Sequence, residues 1–228
     1  MVYRQPTNLM TENEPTGNAT GNTANVTNEE LAKRDYILMI DKSGSMTEED
    51  CPGGMSRWDY AQEQTMAIAR QCAKFDSDGI DVIVFAGSPK LYSGVTPDKV
   101  KQIFVENNPS GSTDTAAALK MALDGYNTRK AAGAAKPITV VCITDGAPTD
   151  QKAVDKVIID HANSMQDDSE TGITFIQIGK DPAARKFLEH LDNDLQSAGA
   201  KFDIVDTKNE EEMETTSIVE ILIAAVTD

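Results

Sequence analysis

The chain has 228 residues, of which 39% are hydrophobic, so it is long enough to form one well-buried core, and a single domain is expected. Its formal charge is -16, from 21 Lys and Arg against 37 Asp and Glu, and such a field repels phosphate backbones and anionic lipid. We therefore expect an acidic protein that binds neither nucleic acid nor membranes.

The cysteines and the amino terminus indicate a reducing compartment. Cys51, Cys72 and Cys142 occur in unrelated patterns without metal-ligand spacing, which indicates reduced thiols and no zinc site. The amino terminus has no apolar segment typical of a secretory signal, and no later apolar run is long enough to span a membrane. The sequence therefore predicts a cytoplasmic protein.

A polar arm precedes the part of the chain that can fold. Residues 1–34 are rich in Thr, Asn, Glu and Gly, and they have too few large apolar groups to offset the entropy of ordering. We predict a flexible amino-terminal tail there and a single domain over residues 35–228. An alternative use of the tail, as an arm that docks on a neighbouring subunit, stays open.

Within the domain, apolar periodicity alternates between strands and helices. Strands are predicted at residues 36–40, 80–85, 91–93, 138–143, 173–178 and 202–205. Helices are predicted at residues 58–75, 97–104, 118–126, 150–162, 182–195 and 218–225. This alternation predicts a doubly wound, mostly parallel, six-stranded α/β sheet of the Rossmann-like type, with helices on both faces and one antiparallel edge strand.

Three polar loops lie next to these elements. Asp41, Ser43 and Ser45 form the turn after the first strand, Thr113 precedes a helix, and Asp145 follows the strand at residues 138–143. Because ligands bind outside the carboxyl ends of strands in such sheets, we expect these side chains to meet. Carboxylate and hydroxyl oxygens without imidazole or thiolate are typical ligands of Mg²⁺ or Mn²⁺ rather than zinc.

These residues also carry a family resemblance. Asp41-x-Ser43-x-Ser45, Thr113 and Asp145 together resemble the metal-ion-dependent adhesion site (MIDAS) of von Willebrand factor A (vWA) domains, and none of the five positions departs from it. The resemblance implies that Ser43, Ser45 and Thr113 bind the metal directly. It implies that Asp41 and Asp145 act through water or hydrogen-bond the direct ligands. It also implies an open coordination position that a partner's carboxylate fills.

The resemblance extends over roughly residues 35–228, which implies a vWA domain with a complete MIDAS. The chain lacks the signal peptide and disulfides of adhesion members, so it resembles the stand-alone intracellular vWA domains of bacteria. The implied cofactor is Mg²⁺, with Mn²⁺ or Ca²⁺ as alternatives. The implied function is non-enzymatic, Mg²⁺-dependent binding of a protein partner that supplies an Asp or Glu to the metal.

The chemistry of the donors agrees with this function independently of the resemblance. Neutral hydroxyls donate less charge than carboxylates, so a cation that they hold stays electron-poor and favours an external anion. Without the cation, a partner's carboxylate would face Asp41 and Asp145 and be repelled. Recognition would therefore depend on the metal.

Other interpretations stay open. Ser and Thr after strands often cap helices, and Asp-Gly is a common turn. A receiver-like, metal-dependent phosphoryl-accepting protein shares the architecture, and Lys180-Asp181-Pro182 resembles its lysine–proline turn, although receivers carry paired acids after the first strand. A metal-mediated, self-assembling structural protein would use an acid of one copy to cap the metal of the next and would form homo-oligomers.

Two further groups of polar residues have simpler interpretations. The acid run at residues 48–50 is expected to be a solvated loop rather than a rim that selects basic groups on a partner. His161 and His190 lie in separate helical segments and are expected at the surface. Because both histidines lie outside the three loops, no hydrolytic set of nucleophile and base is recognisable.

Overall fold

Six strands form one sheet in the computed structural model, which describes residues 28–75 and 79–227. The strands are β1 (Asp35–Asp41), β2 (Ile80–Phe85), β3 (Lys90–Val95), β4 (Ile138–Thr144), β5 (Thr171–Gln177) and β6 (Val205–Asn209). Their order is β3-β2-β1-β4-β5-β6, and every pairing is parallel except that of β2 with β3. The predicted mostly parallel six-stranded sheet with one antiparallel edge strand is confirmed.

Helices cover both faces of the sheet. They are α1 (Asn28–Leu31), α2 (Arg57–Cys72), α3 (Pro97–Glu106), α4 (Thr115–Ala131), α5 (Gln151–Ser164), α6 (Pro182–Asn193), α7 (Glu210–Thr215) and α8 (Ile218–Thr227). Helices α2, α3 and α8 enclose one core, and helices α4, α5 and α6 enclose the other. Successive side chains of a strand point to opposite faces, so Leu38 joins the first core and Met39 joins the second.

The order of the strands places a crevice at the centre of the sheet. The chain runs from β1 outward to β2 and β3, and it then returns to β4 on the other side of β1. Strands β1 and β4 pair in parallel from Asp35 with Ile138 to Ile40 with Ile143, so their carboxyl ends lie side by side. Doubly wound sheets bind ligands where the direction of the connections reverses in this way.

Part of the predicted tail contacts the domain. Residues 28–34 contain α1, and both Leu31 and Arg34 are buried. Arg34 Nε donates to Thr139 Oγ1 at 2.9 Å, and its two terminal nitrogens donate to backbone carbonyls near the starts of β4 and β5. Packing therefore begins upstream of residue 35. The remainder of the predicted tail, residues 1–27, lies outside the described residues.

The last strand lies further along the chain than predicted. Residues 202–205 have the apolar character of a strand, but β6 is Val205–Asn209. Its position is set by backbone pairing with β5, from Ile173 with Val205 to Gln177 with Asn209. An edge strand pairs on one side only, so polar residues can occupy it and apolar periodicity does not mark its extent.

Two expectations from composition concern thiols and membranes. Cys51, Cys72 and Cys142 all lie within the described ranges, and all three are buried and free of disulfides. Over residues 28–75 and 79–227, no helix combines the length and the apolar character that a bilayer crossing requires.

His161 is buried, and its predicted surface position is wrong. It follows Ile158 by three positions in α5 and therefore lies on the buried face of that helix. Its Nε2 lies 2.9 Å from Thr171 Oγ1, and its ring meets the edge of Tyr126 with centroids 5.9 Å apart. Burial is the main cause that lowers the pKa of His161 to about 4.

Acid should therefore destabilise the protein through His161. Its pKa is about 4 in the folded chain and 6.5 in the reference state, so its contribution is fully present above pH 6.5 and is lost as the pH falls towards 4. His161→Gln removes this titration and keeps a group that can bond Thr171. Between pH 7 and about 4.5, urea denaturation should show the variant losing about 2 kcal/mol less unfolding free energy than the wild type.

His190→Gln provides a control of opposite sign. His190 lies 3.0 Å from Asp194 and 3.3 Å from Asp155, and the hydrogen bond with Asp194 is the main cause that raises the pKa of His190. Its contribution is present below pH 6.5 and is lost as the pH rises through the raised pKa. Parallel stability curves for wild type and His161→Gln would contradict the assignment.

Candidate metal centre

Four of the five predicted metal-site residues form one hydrogen-bonded cluster at the carboxyl ends of β1 and β4. Asp41 ends β1 and Asp145 follows β4, and these two residues are 0% and 1% exposed. Ser43 is also buried, and Ser45 is half-buried. Two carboxylates and two hydroxyls thus meet at the central crevice of the sheet.

The turn after β1 is held in place from both of its ends. The backbone N–H of Ser43 donates to Asp41 Oδ1 at 2.7 Å, and a short 3₁₀ turn, Gly44–Thr47, follows. Met46 in that turn is fully buried in the core beneath α2 and α3. These contacts fix the backbone that presents the two serine hydroxyls.

Three oxygens at the cluster have the spacing of a coordination shell. Ser43 Oγ and Ser45 Oγ lie 3.2 Å apart. Ser45 Oγ donates to Asp145 Oδ1 at 3.0 Å, and Ser43 Oγ lies 3.5 Å from the same oxygen. Neighbouring oxygens around octahedral Mg²⁺ are about 3 Å apart, given metal–oxygen distances of about 2.0–2.1 Å. The donor set therefore fits a small divalent cation.

The loop that carries Thr113 contacts the turn after β1 through its backbone, since the carbonyl of Gly111 accepts from the N–H of Gly44 at 3.2 Å. The carbonyl of Thr113 accepts from the N–H of Thr149 at 2.9 Å, and the N–H of Asp114 donates to the carbonyl of Ala86 at 2.8 Å. Asp114 then caps α4 by accepting from the N–H of Ala117. No hydrogen bond joins the Thr113 hydroxyl to the other four side chains, all of which the structure describes. The structure thus brings the loop to the crevice without linking this hydroxyl to the cluster.

Asp41 is a buried carboxylate without a cationic partner among the described residues. Burial, with a smaller contribution from the charge of Asp145, raises the pKa of Asp41 to about 6 despite hydrogen bonds from Ser43 and Thr144. Thr144 Oγ1 donates to Asp41 Oδ2 at 2.7 Å, so both carboxylate oxygens have a donor. Sequence reasoning assigned no role to Thr144, although it ends the strand just before Asp145. A divalent cation beside this carboxylate would offset its unfavourable burial.

Arg57 is the second residue that sequence reasoning missed. It begins α2, and its side chain is 8% exposed. Its Nη1 donates to Asp145 Oδ2 at 2.9 Å, on the carboxylate oxygen that the serines do not use. Nothing local marks this role, because Arg57 looks like any charged residue in a first helical turn and its partner lies 88 positions away.

The acid run at residues 48–50 is organised rather than simply solvated. Arg57 Nε and Nη2 donate to the two oxygens of Asp50 at 2.8 and 2.6 Å, and Nη2 lies 2.9 Å from Glu48 Oε2. The hydrogen bond from Arg57 is the main cause that lowers the pKa of Asp50. The loop is exposed, as expected of a solvated loop, but Glu48 and Asp50 also pair with Arg57, because a buried guanidinium needs several acceptors.

Hydroxyl oxygens are necessary for any cation at this edge. Among the residues that the structure describes, no three Asp, Glu, His or Cys side chains are grouped as metal ligands. Asp41 and Asp145 supply only two acids at this edge, so the serines would have to complete a cation site. This is the composition that favours Mg²⁺ or Mn²⁺ with retained water or an external anion.

Comparison with known families identifies part of this architecture. Residues 36–147 match the sequence profile of the von Willebrand factor type A domain. The matched segment begins in β1 and extends just past Asp145, so it contains all five predicted metal-site residues. The comparison with curated proteins found no match to this chain.

Many solved structures share the fold, and three of them are described here. A mutant of the PilB minor pilin from Streptococcus sanguinis has a TM-score of 0.56 at 14% identity, with 85% of this chain and 61% of the pilin covered. Proximal thread matrix protein 1 from the mussel byssus has a TM-score of 0.54 at 16% identity, with 85% and 48% covered. Manganese-loaded TRAP protein from Plasmodium vivax has a TM-score of 0.53 at 18% identity, with 85% and 74% covered. The chain thus spans less than two thirds of the first two proteins.

Removing the Thr144 hydroxyl should destabilise the domain. Thr144→Val preserves shape but leaves the buried Oδ2 of Asp41 without its donor, so we expect a loss of about 1–3 kcal/mol in unfolding free energy at neutral pH. Chemical denaturation measures this. Thr174→Val is the matched control, because Thr174 is fully buried in β5 and its hydroxyl has no partner among the described residues. Equal losses in the two variants would contradict the role of Thr144.

Proposed function

We propose that this chain is a vWA domain that binds a divalent cation through Asp41, Ser43, Ser45, Thr113 and Asp145, and an Asp or Glu of a protein partner through that cation. The observation that supports this most directly is the convergence of two serine hydroxyls and one aspartate oxygen within 3.0–3.5 Å of each other. We propose Mg²⁺ as the ion, with Mn²⁺ or Ca²⁺ as alternatives.

The residues of this chain would have different roles at such a site. Ser43 and Ser45 offer neutral oxygens, and Thr113 stands on an adjoining loop whose backbone is already positioned. Asp41 and Asp145 orient the turn and the hydroxyls by hydrogen bonds. When bound, the cation supplies an electron-poor coordination position that accepts an external carboxylate. The manganese-loaded state of the structurally similar TRAP protein agrees with a divalent ion here.

We propose binding rather than catalysis as the activity. His161 contacts Thr171, and His190 lies between Asp155 and Asp194, so the two histidines have partners outside the cluster. The hydroxyls at the crevice have aspartate and serine neighbours, and within the described residues no histidine is hydrogen-bonded to them as a base. We also propose the cytoplasm as the compartment, since the buried thiols of this chain are reduced.

Metal binding can be measured directly with Mn²⁺. Electron paramagnetic resonance of free Mn²⁺ should show one saturable site per chain, which Mg²⁺ displaces. Ser43→Ala/Ser45→Ala should weaken Mn²⁺ binding by about tenfold or more, because it removes two direct donors. Ser197→Ala, at an exposed serine after α6, is the control and should bind like the wild type. Undiminished binding by the double variant would contradict the proposed site.

Partner binding is tested by affinity capture from native lysate. Wild type and Ser43→Ala/Ser45→Ala serve as bait, each in Mg²⁺ and in EDTA. A metal-mediated partner should be retained only by wild type in Mg²⁺, and replacing the acid that it inserts should release it. Partners that are retained under all four conditions would contradict a metal-mediated mechanism.

The purified chain also tests the two alternative functions, metal-mediated self-assembly and phosphoryl acceptance. If an acid of a second copy caps the metal, sedimentation of the purified chain should show Mg²⁺-dependent oligomers that dissociate in EDTA. If the chain accepts phosphoryl groups instead, incubation with acetyl phosphate should add a phosphoryl mass that Asp145→Asn abolishes. Neither change is expected for a domain that binds an acidic partner of different sequence.

A further inference from the structure

Arg57 selects which oxygen of Asp145 faces the proposed metal. Its Nη1 contacts Oδ2 at 2.9 Å, while Oδ1 accepts from Ser45 at 3.0 Å. The carboxylate is therefore held between a guanidinium on one side and hydroxyls on the other. Rotation of this carboxylate would break an ion pair that is nearly inaccessible to water.

Arg57 also sets the charge of the buried centre. Asp41 and Asp145 carry two negative charges, and Arg57 carries one positive charge, with all three residues at most 7% exposed. The centre therefore has one net negative charge. A divalent cation would leave it with one positive charge, which a single external carboxylate neutralises. Without Arg57, the two aspartates alone would neutralise the cation.

We infer that Arg57 is a positioning and specificity-determining residue. Its positive charge lowers the affinity of the site for the metal alone, so that tight metal binding requires a partner's carboxylate. This inference rests on the proposed function. Its physical basis is that a fixed cation repels an incoming cation and attracts an incoming anion, most strongly where water is excluded.

The guanidinium is held firmly enough for this role. Asp50 accepts two hydrogen bonds from it, and Glu48 forms a further ion pair with it. The side chains of Asp50 and Glu48 are 41% and 59% exposed, so water screens their charges. On the other side lies Gly179 at φ +75°, where an added Cβ would stand 2.6 Å from Arg57 Nε. Asp50 and Glu48 thus hold Arg57 in place, and its positive charge acts mainly on the buried Asp41 and Asp145, which water does not screen.

A purely structural role for Arg57 predicts a different outcome from an electrostatic one. If Arg57 only ties the loop at residues 48–56 to α2, its replacement should loosen the site and weaken metal binding. If its charge opposes the metal, replacement by a neutral side chain should strengthen metal binding. A gain of affinity is a result that loosening or partial unfolding does not produce.

The test measures Mn²⁺ affinity by electron paramagnetic resonance in the full chain. Arg57→Gln keeps an amide that can donate to Asp145, and it should bind Mn²⁺ about tenfold more tightly than the wild type. Arg57→Lys keeps the charge and should stay near the wild-type affinity. Arg70→Gln is the matched control, because it removes the same charge from an exposed position of the same helix and should change little.

A second measurement adds acetate as the carboxylate probe, with chloride at equal ionic strength as the reference. Acetate should raise the Mn²⁺ affinity of the wild type, since the two ligands bind one site cooperatively. The gain should shrink or vanish in Arg57→Gln. Weak complexation of Mn²⁺ by free acetate is the same for both proteins and cancels in the comparison.

The outcomes distinguish this inference from the function on which it rests. If the wild type does not bind Mn²⁺, the proposed metal-dependent function fails. If the wild type binds Mn²⁺ but Arg57→Gln binds it equally or more weakly, the function stands and the inference about Arg57 is overturned. Should Arg57→Gln fail to fold, Asp50→Asn and Glu49→Gln decide. Each removes one acid from the same exposed loop, but only Asp50 is paired with Arg57, so Asp50→Asn should lower Mn²⁺ affinity more than Glu49→Gln does. Equal effects of the two variants would overturn the inference.

Discussion

The carboxylates of Asp41 and Asp145 lie at the ends of the two central strands, where almost no solvent reaches them. Buried carboxylates are unfavourable unless donors or cations surround their oxygens. Asp41 is satisfied by the backbone of Ser43 and the hydroxyl of Thr144, and Asp145 is satisfied by serine hydroxyls and Arg57. The tight turn after β1 and the loop folded onto the start of α2 both follow from this requirement.

The strongest local signals predicted most of the fold. Strands β1 and β4 are apolar and buried on both faces, so their sequences identify them without ambiguity. Prediction failed where partners elsewhere in the chain decide the outcome. Strand β6 takes its bounds from β5, and the segment before β1 is tied down by Arg34, a residue type usually found at the surface.

The candidate site likewise contains residues that local sequence predicts and residues that it does not. Its aspartates and serines follow the central strands in a short, recognisable spacing, so sequence alone predicts that they meet. Arg57 and Thr144 contact their carboxylates across 88 and 103 positions, and no pattern in a local window encodes such contacts. What sequence missed is therefore the buried partners of the two carboxylates, one cationic and one neutral, rather than the residues that would bind the ion.

Gly179 leaves the space that the guanidinium of Arg57 occupies. Because its backbone is left-handed and the guanidinium of Arg57 fills the space where a methyl group would stand, the two positions cannot vary independently. A side chain at position 179 would displace the guanidinium, whereas loss of the arginine would still leave a backbone that favours glycine. Replacing Gly179 would therefore disturb the ion pair between Arg57 and Asp145, although the two residues lie in different elements of the fold.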